Sequence, residues 1–405
     1  MFLLRPASLG AVCLLCAGAL DAAPVDFRQV SAPPAWRAAL QAVWSASPEI
    51  AAARAELEAA RARAAAAAQP LYNPELSLEV ENADVKRRVI GIGLPLDLSG
   101  KRRVRGAQGD AKLRAAEASF AVARQALAVR WLKATTTATL ASRQSELGRQ
   151  RVQLMQRFDE LAERRLKVGD LSSPERDLAA LALGEAQMQQ AALEGDAAGA
   201  RAAVLAIAGV DATEKLPPTP SDLPPDADAI APKPLQELPT LIGAHAELAA
   251  AEAGVGVAQR ARLPDPVLSL AGGEVRSGHV RDNVIGVSVS IPLPVRNSGG
   301  AEVQAARAEA NAASAGLRVE ERQARARLAE SKARYTALRT AAGAFRNGRA
   351  AAYEDRTTLL EKLWRAGEIG TSDYLVQLKQ SLDTALSAAG RLADWIDGEA
   401  QETSR

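Results

Sequence analysis

The sequence is poor in residues that react chemically or bind soft metals. It contains 405 residues, of which 2 are cysteine and 2 are histidine. Cys13 and Cys16 both lie in an N-terminal segment typical of a secretory signal, so we expect a mature chain without disulfides, thiolate sites or cysteine nucleophiles. His245 and His279 are far apart in the chain, which disfavours a metal site or a base–nucleophile pair. We therefore expect no enzyme activity and no cofactor.

Aromatic residues, net charge and long apolar runs are also scarce. Aromatics make up 3% of the chain and the formal net charge is +2. The low charge gives no reason to expect a nucleic-acid partner. The alanine-rich, aromatic-poor composition favours long, thin helical packing over a broad core. After the predicted signal segment, 1–19, no stretch of 18 residues is apolar and free of charge, so membrane insertion would require β-strands.

Two stretches, 73–105 and 265–300, interrupt the helical pattern with alternating residues that predict β-hairpins. In the first, Leu76 and Leu78 alternate with Ser77, Glu79 and Glu81. In the second, aliphatic residues alternate with serines in the same manner. Each strand would be about 9–11 residues long, the length of a tilted strand that crosses a bilayer. The alternative is a soluble hairpin half-buried against the helices.

The hairpins belong to two copies of one unit. Pro74, Leu76 and Leu78 recur at Pro266, Leu268 and Leu270, an offset of 192 residues, and three other anchors recur in the same order. The offset grows after the hairpin, which predicts a tip five residues longer in the second copy. The first unit (20–215) would contain helices 36–69, 101–168 and 173–209 and hairpin 74–98. A proline-rich linker, 216–239, would precede the second unit (240–405), with hairpin 266–295 and helices 240–262, 300–365 and 371–400.

The longest predicted helix carries a heptad stripe, which favours coiled packing. The stripe comprises Leu113, Phe120, Leu127, Ala134 and Ala141, and then, one residue out of register, Leu140, Leu147, Leu154, Leu161 and Val168. Hairpins with one aliphatic face need lipid on that face, and four strands cannot close a barrel, so we expect copies of the chain to associate. Glu79, Glu81 and Asp97 would then face the water-filled lumen.

The NPELSLEVEN and LPLDLSGKRR stretches, the duplicated plan and the two glycine turns resemble the outer-membrane factor (TolC-like) family. The resemblance is greatest to its heavy-metal cation efflux (CzcC-like) branch. It implies a homotrimer in the outer membrane of a Gram-negative bacterium, mainly α-helical. Four strands per chain would form a barrel of about twelve strands above a periplasmic α-helical tunnel. It also implies two partners, a periplasmic membrane-fusion adaptor and an inner-membrane RND pump, and contact with outer-membrane lipid.

The turns at Gly169 and Gly367 are the candidate functional tips. The family resemblance assigns adaptor contact to Val168, Gly169, Leu171, Ser172, Gly367, Ile369 and Thr371. It also assigns a periplasmic constriction to Asp373 and Glu175. Ile369 and Val376 stand where the family pattern has an arginine and an aspartate, so closure would depend on packing and on Asp373.

Several cations near the hairpins have two interpretations. Lys101, Arg102, Arg103 and Arg105 would contact inner-leaflet phosphates or simply follow a strand-to-helix junction capped by Ser99. The stretch 86–88 (Lys-Arg-Arg) would contact lipopolysaccharide phosphates or form a solvated tip.

The sequence thus predicts a passive exit duct for heavy-metal cations. One alternative is the same architecture serving drug efflux or type I protein secretion. The other is a soluble periplasmic coiled-coil adaptor or scaffold.

Overall fold

The computed structural model describes residues 34–209, 234–347, 353–370, 373–374, 376–378 and 380–381. The predicted signal segment, 1–19, lies outside the described residues. So do Thr371, most of the predicted linker, 216–239, and most of the predicted last helix, 371–400.

The first half of the described chain consists of helices around one β-hairpin. Its elements are α1 (Pro34–Ala46), α2 (Pro48–Ala67), β1 (Glu75–Asn82), β2 (Val85–Pro95), α3 (Lys101–Lys167) and α4 (Ser173–Ala208). The hydroxyl of Ser47 accepts a hydrogen bond from the backbone N–H of Ile50, and Pro48 occupies the first turn, so α2 starts afresh after α1. At 67 residues, α3 is about 100 Å long.

The second half repeats this order after a short 3₁₀ turn, Leu235–Glu237. Its elements are α5 (Pro239–Ala261), β3 (Val267–Ser277), β4 (Val280–Ser290), α6 (Gly300–Asn347) and α7 (Tyr353–Arg365). The predicted duplicated, mainly helical fold with four strands per chain is confirmed.

The four strands form one antiparallel sheet in the order β1-β2-β3-β4. Both hairpins turn through two residues, Ala83–Asp84 and Gly278–His279. The prediction of a longer second tip is therefore wrong. The additional residues lengthen the strands, since β3 has 11 residues and β1 has 8. The pairing of β2 with β3 joins the two halves of the chain.

Helix α3 lies against α2, α4 and α5, and many of its buried residues at these contacts are small. In its second half the predicted leucines 140, 147, 154 and 161 are only half-buried. The buried positions fall one residue later, at Ala141, Gly148, Met155 and Ala162. A Cβ at Gly148 would lie 2.1 Å from Oε1 of Gln190 on α4, so the Gln190 side chain occupies the space that the glycine leaves open. The predicted stripe is thus corrected by one residue, and the leucines flank the contact.

Two clusters of buried aliphatic and aromatic side chains lie far apart along α3. The first joins α1 and α2 to α3 and α4, and it consists of Val43, Ile50, Leu127, Trp131 and Ala208. The second lies near the Gly169 and Gly367 turns and includes Met155, Phe158 and Trp364.

Helix α5 is the one helix of the described chain that is long and apolar enough to cross a membrane by length and composition. Its mean hydropathy reaches 1.2, through its alanine, leucine, isoleucine and valine residues, and it carries Glu247 and Glu252. It packs along both α3 and α6, and 17% of its most apolar stretch is buried.

Candidate functional site

The sheet separates aliphatic from polar side chains. Residues directly opposite each other in an antiparallel ladder lie on the same face. The register places Leu76, Ile92, Leu270 and Val287 in one row across all four strands. Leu76 and Leu78 are 76% and 74% exposed, so the alternative of a hairpin half-buried against helices is excluded for the described chain. We call this surface the aliphatic face.

The opposite surface, which we call the inner face, carries small side chains and acidic side chains. It contains Ser77, Gly91, Ala271 and Gly286 in one row. Its charged residues are Glu75, Glu79, Glu81, Arg87 and Asp282. Four carboxylates against one guanidinium give a formal charge of −3 per chain. The register places Glu79 and Glu81 on the surface opposite the leucines, and their position in a lumen stays a prediction.

Asp97 does not lie on a strand, because β2 ends at Pro95. Its carboxylate accepts hydrogen bonds from the backbone N–H groups of Lys101 and Arg102, each at 2.8 Å. The prediction of a lumen charge at Asp97 is corrected to a cap of α3, and so is the prediction that Ser99 supplies this cap. Partial burial raises the pKa of Asp97, but the N–H groups outweigh it and hold the pKa below its ordinary value.

A polar junction joins the two halves between sheet and helices. Asp265, just before β3, accepts hydrogen bonds from the Tyr72 hydroxyl at 2.6 Å and from Nζ of Lys101 at 2.8 Å. The bond to Asp265, with burial, raises the pKa of Tyr72 above its ordinary value. Arg102 donates to the carbonyl of Ala68 at 2.6 Å. Lys101 and Arg102 are therefore bound within the chain, which favours the junction interpretation over leaflet phosphates for these two cations.

The two turns have the same backbone geometry. In the first, Gly169 has φ +83° and its N–H donates to Leu166, while Asp170 donates to Arg165. In the second, Gly367 has φ +77° and the N–H groups of Gly367 and Glu368 donate to Trp364 and Leu363. Both are Schellman motifs, in which a left-handed glycine ends a helix. The repeat thus extends to individual hydrogen bonds.

The predicted adaptor-contact residues fall into two groups. Four are exposed: Val168, Gly169, Ser172 and Gly367. Leu171 and Ile369 are half-buried and pack against a cluster inside the chain. Each turn therefore presents its glycine outward and anchors itself with the aliphatic residue two positions later.

The two predicted constriction residues differ in their surroundings. Glu175 accepts hydrogen bonds from the hydroxyl and the backbone N–H of Ser172, at 2.6 and 3.0 Å, and forms a capping box at the start of α4. These bonds hold the pKa of Glu175 below its ordinary value. Asp373 is exposed at the start of the next helical segment.

An aromatic cluster that sequence analysis missed ties the two turns together. Phe158 of α3 packs at a tilt against Trp364 of α7 and stacks against Tyr374, with ring centroids 4.6 and 5.2 Å apart. Trp364 and Tyr374 stack at 5.3 Å. The guanidinium of Arg165 lies 4.7 Å from the Trp364 ring, on the side of the first turn. We call these three rings the tip cluster.

Across the described residues, no group of three or more histidine, cysteine, aspartate or glutamate side chains could hold a metal ion. The site thus consists of a two-faced sheet and two tied turns at the other end of long helices. This arrangement is that of outer-membrane channel proteins. A membrane protein from Pseudomonas aeruginosa is similar with a TM-score of 0.75, 19% identity and coverage of 91% of this chain and 92% of that one. The outer membrane protein VceC from Vibrio cholerae is similar with a TM-score of 0.72, 16% identity and coverage of 90% and 94%.

The chain belongs to the outer membrane efflux protein family, which matches residues 39–210 and 231–400. It is also 26% identical over 286 residues to the cobalt-zinc-cadmium resistance protein CzcC from Cupriavidus metallidurans, covering 68% of this chain and 67% of that protein. The predicted family, channel class and outer-membrane location are confirmed, and the alternative of a soluble scaffold is wrong. Members of this family are passive ducts and not enzymes.

Proposed function

We propose that this chain is the outer-membrane exit duct of a tripartite efflux system for heavy-metal cations. The similarity to CzcC, named for cobalt, zinc and cadmium resistance, is the observation that carries the choice of cargo. The acidic inner face supports it, since a ring of carboxylates in a pore attracts cations. The duct needs no ligand set of its own, because cargo selection would take place in an inner-membrane RND pump.

The duct would be a homotrimer. Strands β1 and β4 form the two edges of the sheet in one chain, and each leaves a row of backbone groups without a ladder partner in that chain. In hydrocarbon such edges are not tolerated, whereas pairing β4 of one chain with β1 of the next closes a barrel. The exposed aliphatic face then meets lipid and the inner face lines the pore.

The tips would dock the pump's periplasmic adaptor. Val168, Gly169, Ser172 and Gly367 supply the exposed surface, with Thr371 as the remaining predicted contact. Three Asp373 carboxylates around the threefold axis would form an electrostatic neck, because like charges brought together bind cations to offset their repulsion.

Deletion of the gene should lower tolerance to zinc, cobalt and cadmium salts and leave tolerance to hydrophobic drugs unchanged. The measurement is the minimal inhibitory concentration in the native host, with the wild-type gene on a plasmid as control. Drug sensitivity or a secretion defect with normal metal tolerance would instead support the alternative of drug efflux or type I protein secretion.

Replacing both strand carboxylates, Glu79→Gln with Glu81→Gln, should reduce the cation selectivity of the purified channel. The inner face would change from −3 to −1 per chain, so we expect a K⁺/Cl⁻ permeability ratio about two-fold lower. The measurement is the reversal potential of single channels in a planar bilayer under a KCl gradient. The control, Glu79→Asp with Glu81→Asp, keeps the charge and should keep the selectivity. An unchanged ratio in the Gln variant would show that these side chains do not line the pore.

A further inference from the structure

The aliphatic face of the sheet ends in a row of cations. Across three neighbouring strands, Lys86 lies directly opposite Arg276, which lies directly opposite Arg281. The row below it contains Arg88, Glu274 and Asn283, and the aliphatic rows follow. Lys86, Arg88, Arg276 and Arg281 lie in these two neighbouring rows and share one face with the leucines, and we call the four together the basic row.

Charge within the basic row is not balanced by the chain itself. Glu274 is the one carboxylate on this end of the face, and it is shared by Arg276 at 3.4 Å and Arg281 at 3.5 Å. Four cations against one carboxylate leave a formal charge of +3. Like charges directly opposite in a ladder repel, so such a row is destabilising unless an external anion lies between its members.

The position of the basic row along the strands indicates which anion it would meet. Along a strand, the Arg88 row lies two residues beyond the aliphatic row of Ile90, about 7 Å away, and the Lys86 row about 13 Å away. When the aliphatic rows lie in hydrocarbon, the cations therefore lie at the boundary where lipid headgroups begin, with their stems alongside the acyl chains. The row is at the hairpin-turn end of the sheet, away from the periplasmic helices, so this boundary belongs to the outer leaflet.

We propose that the basic row binds the phosphate groups of lipopolysaccharide in the outer leaflet. Phosphates accept charge-assisted, bidentate hydrogen bonds from arginine. Arg281 is 65% exposed and Arg276 is 38% exposed, so both guanidinium groups can reach a headgroup. This resolves the two interpretations of the 86–88 stretch: Lys86 and Arg88 bind lipid, and Arg87, opposite Glu81, faces the interior. The inference does not depend on the cargo of the duct.

The test uses the full-length protein in detergent, titrated with lipid A, with dephosphorylated lipid A and with phosphatidylglycerol. The variant is Lys86→Gln/Arg276→Gln/Arg281→Gln, and the matched control is Arg87→Gln, an adjacent cation on the other face. We expect the wild type to prefer lipid A, the triple variant to lose at least about ten-fold in affinity and the control to bind like the wild type. A charge-retaining triple variant, Lys86→Arg/Arg276→Lys/Arg281→Lys, keeps the positive charge but loses the two bidentate guanidinium groups, so we expect its affinity to fall between those of the wild type and the triple Gln variant.

Three results would overturn the proposal. They are equal binding by the triple Gln variant, an equal loss in Arg87→Gln, and binding of dephosphorylated lipid A as tightly as lipid A. Equal competition by phosphatidylglycerol would reject lipopolysaccharide as the specific ligand in favour of any anionic lipid. Circular dichroism of each variant checks that strand content is unchanged, so loss of binding cannot be mistaken for loss of folding.

Discussion

Gly273→Ala should prevent assembly of the sheet. A Cβ at this position would lie 2.0 Å from the carbonyl oxygen of Arg88 and 2.7 Å from Cα of Val89. Both are backbone atoms of β2, so no side chain can rotate away to make room. Overpacking costs about 1–3 kcal/mol even where side chains can adjust. We expect the upper end of that range or more, because the strand itself must move.

The consequences would be global because Gly273 lies where the two halves of the chain pair. The β2–β3 ladder is the sheet contact between the repeats, and its loss would leave two separate hairpins. An isolated two-stranded hairpin is marginally stable at best. The expected result is little or no oligomer in the outer membrane.

Gly286→Ala is the matched control. Gly286 lies on the same inner face, on the neighbouring strand β4, and an added Cβ there meets no atom within 4 Å. The measurement is the temperature at which the oligomer dissociates on semi-native gels, together with its yield from outer membranes. If Gly273→Ala dissociated at the same temperature as Gly286→Ala, the β2–β3 register described above would be wrong.

Alternation alone was enough to predict the two faces of the sheet. Leu76 and Leu78 repeat every second residue, and a strand has no other way to place such residues than on one side. The need for Gly273 could not be predicted, because it depends on how closely a strand about 185 residues away in the chain approaches. The register that aligns Lys86, Arg276 and Arg281 could not be predicted either, because it depends on how the two repeats pair.

At the strand-to-helix junction, the sequence predicted a capped helix correctly but assigned the cap to Ser99 and not to Asp97. Asp97 and Ser99 both precede α3, and either side chain can accept hydrogen bonds from a helix N-terminus. The sequence pattern assigned Asp97 to the strand because it continued the alternation of β2. The left-handed backbone at Gly100, with φ +71°, instead brings Asp97 back over the first N–H groups of α3.

At the turns, the glycines were predictable and the tip cluster was not. Gly169 and Gly367 stop a helix locally, so the sequence around each is sufficient. Phe158, Trp364 and Tyr374 meet only because the helices around the two turns, about 200 residues apart in the chain, pack side by side. One signal was available: in a chain with 3% aromatics, a tryptophan and a tyrosine flank the second turn.

Trp364→Ala should release the two turns from each other. Trp364 is 2% exposed, and its ring contacts both Phe158 and Tyr374 and lies beneath Arg165. Removing a buried tryptophan leaves a cavity and costs about 3–5 kcal/mol. We expect this destabilisation at the two turns, because Leu171 and Ile369 pack both turns against the same cluster.

Two measurements separate a local loosening from general unfolding. If the turns form the proposed periplasmic constriction, the variant should conduct more, or stay open longer, than the wild type in planar bilayers, because the freed turns would no longer hold that end narrow. Dissociation of the oligomer on gels should change little, because the sheet lies at the far end of α3. Leu359→Ala, an exposed position on the same helix, and Trp364→Phe, which keeps a ring in the stack, should both conduct like the wild type. Wild-type conductance in Trp364→Ala would mean that the tip cluster stabilises the fold without restricting the pore.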